Sequence, residues 1–160
     1  YTLPQKKINT LEDKLRILSG LYGLLRPLDA IRPYRLEMGT SLILDTHKNL
    51  YSFWKRKITD QLNTELKEGE LLVNLASKEY FSAIDLKSIQ SPIVSPQFKD
   101  FKNGKFKIIS FFAKKARGMM VRYLIDKDAS SINEILGFNF DGYTFSESET
   151  QDELNPVFVR

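Results

Sequence analysis

The apolar positions of this chain change period along its length, and the predicted elements follow those changes. Leu15-Arg-Ile-Leu-Ser-Gly-Leu-Tyr-Gly-Leu-Leu25 is apolar at nearly every position, but Gly20 and Gly23 interrupt it. Glycine weakens a helix, so the run predicts a buried strand, or a strand entering a tight turn. Arg26-Pro27 and Arg32-Pro33 push the residue before each proline out of the helical region, which makes 26–33 a loop. Tyr34–Met38 alternates polar and apolar, as a short strand does. Leu50, Phe53, Trp54, Ile58, Leu62 and Leu66 keep helical spacing and predict a helix over 49–67, ended by Glu68-Gly69. Lys55-Arg56-Lys57 fans around that helix and reads as solvated surface. Leu71–Ala76 predicts a buried strand, and Ser77-Lys-Glu-Tyr80 a helix start, with Ser77 an N-cap for Phe81 onward.

Further on, 93–109 predicts a β-hairpin with Asn103-Gly104 as its type I′ turn. The second arm, from Lys105, passes into a helix over about Ala113 to Lys127. Ala113, Ala116, Met120 and Leu124 form that helix's apolar stripe. Ser131 suits the cap of a short helix over Ile132–Leu136. Tyr143–Phe145 and Pro156–Val159 are late strands, and the acidic stretch 146–155 between them is expected to be mobile. The expected fold is α+β: a single domain over 1–160, of mixed strands and helices with a hairpin near 93–110. No apolar run approaches the ~18 residues of a membrane span, and there is no signal-peptide pattern. The chain begins with Tyr1 rather than Met and reads as an excised fragment or one with an unseen beginning.

Composition removes more chemistry than it suggests. Cysteine is absent and His47 is the only histidine. Disulfides, thiol nucleophiles and zinc sites needing Cys or two His are excluded. His47 reads as an exposed loop residue. Ser77 and Ser110 have no visible base, so no catalytic residue is assigned. No metal site and no cofactor is expected, although Asp29, Glu37 and Glu79 are the carboxylates a hard cation would use.

Charge is unevenly spread. Residues 99–127 hold nine basic and two acidic side chains, whereas 128–160 hold one basic and seven acidic. Either the acidic tail folds back on the basic middle, or the middle is a surface for a polyanion. Within the basic stretch, Lys114, Lys115 and Arg117 are expected at the helix start, against the macrodipole, with Arg122 one to two turns on. Cations beside free backbone N–H groups suit an anion such as phosphate. Arg26, Arg32 and Arg35 are the second candidate group, each offering a planar fork for phosphate or carboxylate. The plain reading of that group is ion pairing to Asp29 and Glu37, with Asp29 alternatively capping the turn after Pro27. Tyr34, Tyr80 and Tyr143 can stack on bases or hydrogen-bond a ligand, and are equally suited to half-buried packing. Ser77 is grouped with them as a supporting residue.

"SGLYGLLRPLD" at 19–29, "RPYRLEMG" at 32–39, "NLAS" at 74–77, "KFKIISFFAKKARG" at 105–118 and "GFNFDGY" at 137–143 occur in this order. Together they resemble the YaaA family of bacterial peroxide-stress proteins, over almost the whole chain. The resemblance implies a distinctive α+β fold and a cytosolic protein that lowers oxidative damage to DNA by limiting free iron. It also implies binding of double-stranded DNA through a positively charged cleft and a helix-hairpin-helix element, with no membrane partner and no securely attached reaction. Gly20-Leu-Tyr-Gly23 is the one glycine turn similar to such a hairpin. Family chains carry a substantial N-terminal segment, so 1–160 reads as a C-terminal fragment of a longer chain. Lys78 stands where the family pattern is acidic, which removes a carboxylate role there. The alternative to DNA binding is an enzyme or sensor for a small phosphorylated or nucleotide ligand, held by Arg26, Arg35, Lys114, Lys115 and Arg117.

Overall fold

The computed structural model of the chain describes residues 3–160. The fold is α+β, and the chain divides into two compact units. One takes the chain as far as Gly69, together with Ala76–Ser91. The other is Glu70–Leu75 with Pro92–Arg160.

The first unit contains α1 (Gln5–Lys14), β1 (Ile17–Ser19), β2 (Gly23–Leu25), α2 (Leu50–Glu65) and α3 (Lys78–Phe81). β1 and β2 form an antiparallel hairpin, so the glycine-punctuated run is a strand entering a tight turn. The Gly20–Gly23 turn therefore joins two strands, not two helices. Gly23 is obligatory: its φ is +75°, and a Cβ would lie 2.5 Å from the Trp54 ring. Trp54 Nε1 also donates to the Gly20 carbonyl at 2.9 Å, which locks α2 onto the hairpin.

Asn49 caps α2 through a reciprocal box with Ser52. Leu50, Ile58 and Leu62 are buried, and Lys55-Arg56-Lys57 is exposed as expected. α2 ends at Glu65, before the expected stop at Glu68-Gly69, because Leu66 already turns to an extended conformation. Residues 34–38 form no strand. Leu36 and Met38 do turn inward, but no neighbouring strand pairs with them, and side chains hold the loop instead. His47 is half-buried rather than exposed, bridged to Leu44 and edge-on to Phe53 at 5.5 Å.

In the second unit, β3 (Leu72–Val73) pairs in parallel with β4 (Ile93–Val94). The expected buried strand over 71–76 is thus two residues long and half-buried. β5 (Gln97–Lys102) and β6 (Lys105–Lys107) make the expected hairpin, with Asn103 at φ 55° and Gly104 at φ 78°. β7 (Thr144–Phe145) and β8 (Val157–Val159) complete a mixed sheet in the order β6-β5-β8-β7. Phe98 sits at the middle of the core, stacked on Phe158 and edge-on to Phe138 and Tyr143.

Helix α4 (Ser110–Lys127) buries Ala113, Ala116, Met120 and Tyr123, while Leu124 is half-buried. It starts three residues before the expected Ala113. Ile109 is its extended N-cap, and Ala113 N already donates to the Ile109 carbonyl at 2.9 Å. α5 (Ile132–Leu136) is capped by Ser131, reciprocated by Glu134. The stretch 146–155, expected to be mobile, is tied down: Thr150 Oγ1 donates to Ser146 O and accepts from Val157 N, at 2.7 and 3.0 Å. Among the described residues, no helix is long and apolar enough to cross a membrane.

Candidate functional site

In the first unit, the loop after β2 carries three of the candidate cations. Asp29 Oδ2 accepts from the Arg26 backbone N at 2.7 Å, so Asp29 caps the turn and does not take up the guanidinium. The Arg26 side chain reaches Glu65 at 3.3 Å, and Arg16 engages the same carboxylate. Burial raises the Glu65 pKa, but hydrogen bonds from Gln61, Arg16 and Arg26 outweigh it and hold the carboxyl below its usual range. These residues line an open groove of about 420 Å³ with Trp54 and Lys57. Arg32 and Arg35 do not line this groove. Arg35 is 93% exposed and 4.0 Å from Glu37. Arg32 is exposed, and its backbone N donates to the Tyr22 hydroxyl at 3.2 Å.

The tyrosines stiffen this loop. Tyr34 shares a hydrogen bond with Ser19 Oγ and sits edge-on to Tyr22 at 5.4 Å. Tyr34 remains partly open to solvent. Tyr80 is half-buried; burial and the charge of Glu79 push its hydroxyl pKa up. Glu79 accepts from Gly39 N at 2.9 Å, so it fastens the far end of the loop. Ser77 caps α3 through Tyr80 N, a structural duty. Asp29 and Glu79 are each engaged by backbone. Among the described residues, no group of three or more His, Asp or Glu side chains is placed to hold a metal ion.

In the second unit, the early start of α4 changes the meaning of its cations. Lys114, Lys115 and Arg117 lie beyond the first turn, where the macrodipole has faded, so the expected conflict at the helix end does not arise. Lys115 Nζ pairs with Asp141 at 3.1 Å, and Arg122 with Asp126 at 2.6 Å. Lys99 pairs with Glu149 at 2.9 Å. Arg117 is half-buried, donates Nε to the Ala113 carbonyl at 3.2 Å, and has its pKa lowered by burial. The reading in which the acidic tail folds back on the basic middle therefore holds for two of its lysines. The tail neutralises Lys99 and Lys115, while Lys102, Lys105, Lys107 and Lys114 have no carboxylate partner among the described residues.

Tyr143 is fully buried and is a core residue, not a stacking platform. Its hydroxyl donates to Asp100 Oδ2 at 2.8 Å, and Arg160 donates to the other oxygen at 2.8 Å. Arg160 also reaches Asp141 at 2.8 Å and lies 4.6 Å from the Phe112 and Tyr143 rings. The sequence reading missed this network. The signal was available for Asp100: two residues after buried Phe98 on one strand, it had to face the same side. Arg16 and Glu65 were also missed, and nothing local marks them as partners.

A family model described as "Peroxide stress protein YaaA" matches residues 1–149. A UPF0246 protein of Flavobacterium johnsoniae is 60% identical over 160 residues, covering 100% of this chain and 63% of that protein. One from Flavobacterium psychrophilum is 59% identical over 145 residues, covering 91% of this chain and 58% of that protein. One from a Marinomonas species is 53% identical over 160 residues, covering 100% and 61%. This chain thus spans about three fifths of the length of these relatives. The five sequence blocks, the family model and these identities agree, and the chain belongs to the peroxide stress protein YaaA family.

Proposed function

We propose that this protein serves the cytoplasmic peroxide-stress response by binding double-stranded DNA through exposed cations and shielding it from iron-dependent damage. The observation that carries the reading is the set of unneutralised lysines in the second unit. Seven acidic side chains follow in the tail, yet Lys102, Lys105, Lys107 and Lys114 are left without carboxylate partners among the described residues. Exposed like charges repel one another; a polyanion's negative charges relieve that repulsion, and the counterions it releases favour binding. Arg32 and Arg35, exposed on a loop pinned by tyrosines, suit the same ligand.

The test is a fluorescence-anisotropy titration against a labelled duplex at two salt concentrations. Affinity should fall linearly in log–log form, with a slope of roughly −0.9 per phosphate contacted. Binding that is absent, or indifferent to salt, would sink the proposal. A second reading, a small phosphorylated ligand, is favoured by the groove that Arg26 and Lys57 share with Trp54. There Glu65 already occupies Arg16 and Arg26, so a phosphate would have to displace a carboxylate. That competition ranks it second.

A further inference from the structure

Gly118 sits in the ninth position of an 18-residue helix, far from either end. Glycine is among the least favourable residues in a helix interior. Elsewhere in this chain glycines have an internal reason, such as the Trp54 ring against Gly23. Gly118 has none. Its φ is not positive, and a Cβ built there would meet nothing within 4 Å. A side chain would fit as far as the described residues are concerned, so the bare backbone has no use within them.

The neighbours on the helix surface give it one. At 100° per residue, Phe111, Lys114, Lys115, Gly118 and Arg122 fall within an arc of about 100° on α4. All five are exposed, Phe111 by 75%. Lys114 and Arg122 stand four residues to either side of Gly118, about 12 Å apart along the axis. The face is thus a shallow saddle: bare backbone in the middle, a cation at each end, and a third, Lys115, beside it.

From this we infer that Gly118 is the point of closest approach of a nucleic-acid sugar–phosphate strand. The strand crosses α4 over the glycine, with its phosphates held by Lys114 and Arg122. Charge selects this occupant over an apolar protein helix, because the saddle is flanked by cations and holds one exposed apolar side chain. Arg122 is shared with Asp126, an exposed pair one turn apart that a phosphate can open. The inference rests on the DNA reading above and names where the strand runs.

Gly118→Ala and Gly118→Leu test it, since both residues are better helix formers than glycine and neither threatens folding. Both variants should melt about 2–4 °C higher than the parent. Gly118→Leu should bind duplex DNA at least tenfold more weakly, and Gly118→Ala should fall between. If the parent protein does not bind duplex, the DNA reading itself fails. If the parent binds and Gly118→Leu binds as tightly, only the present inference is overturned. A lower melting temperature in both variants overturns it too, by showing that the face is packed inside the protein. A change of oligomeric state in sedimentation with unchanged DNA affinity overturns it in favour of a second copy.

Discussion

Asp100 is 6% exposed, yet both of its oxygens are engaged, one by the Tyr143 hydroxyl and one by Arg160. Removing that carboxylate leaves a buried hydroxyl and a partly buried guanidinium without their shared partner. Asp100→Ala should therefore cost about 3–5 kcal/mol in urea denaturation, the range for breaking a buried charged pair from one side. A loss below 1 kcal/mol would mean that water replaces the carboxylate. The same network predicts an alkaline limit. Burial, and then the hydrogen bond to Asp100, raise the Tyr143 pKa well above the ordinary 10.0. The folded state keeps its proton where the unfolded chain loses it. The contribution is fully present below pH 10 and is lost as pH rises beyond it. Stability measured from pH 8 to 11 should fall above 10, and Tyr143→Phe should flatten part of that fall.

Elements were legible where their signals are local. Asn103-Gly104 dictated the β5–β6 turn because a type I′ turn needs positive φ at both positions, and both have it. Ser131 was legible as a cap for the same kind of reason. Its Oγ accepts from Glu134 N, and the Glu134 carboxylate answers through Ser130 and Ser131 N at 2.9 Å each. Those bonds lower the Glu134 pKa, the backbone donation from Ser130 first. Ser131→Ala should cost about 1 kcal/mol in chemical denaturation, as N-cap removal does. An unchanged midpoint would show that α5 is held by packing alone. Elements were illegible where a distant contact decides. The apolar alternation of 34–38 is real, but no described strand pairs with it; the end of β1 packs against it through Ser19 and Gly20, and Glu79, forty residues from Gly39, fastens its far end. α4 begins at Ser110 without any side-chain cap, so no capping residue in the sequence marks its start.

At the scale of the whole molecule, the division between a basic middle and an acidic tail was readable by counting. How the two meet was not. Folding brings Asp141 to Lys115 and Glu149 to Lys99 across 26 and 50 residues of chain. Of the seven candidate cations, Lys114 and Arg35 lie in solvent, Arg35 at the edge of reach of the Glu37 that the sequence offered it. The sequence could not foresee that Arg26 would be taken by Glu65, or Lys115 by Asp141. If DNA is the ligand, the tail is an internal competitor for the same lysines, and weakening it should strengthen binding. Asp141→Asn makes the cleanest test. Position 141 has φ 53°, which asparagine tolerates as well as aspartate, so the turn survives while the charge goes. The hydrogen bond from Lys115, together with the Lys115 and Arg160 charges, holds the Asp141 pKa below its usual value, so the carboxylate is ionised at neutral pH. Its loss leaves Lys115 uncompensated on the face that carries Lys114 and Gly118. Duplex affinity at low salt should rise, and the salt slope should steepen by about 0.9, one additional phosphate contact. Unchanged affinity and slope in Asp141→Asn, with the parent protein binding duplex, would mean that DNA does not reach Lys115 and that the strand runs elsewhere on the basic surface.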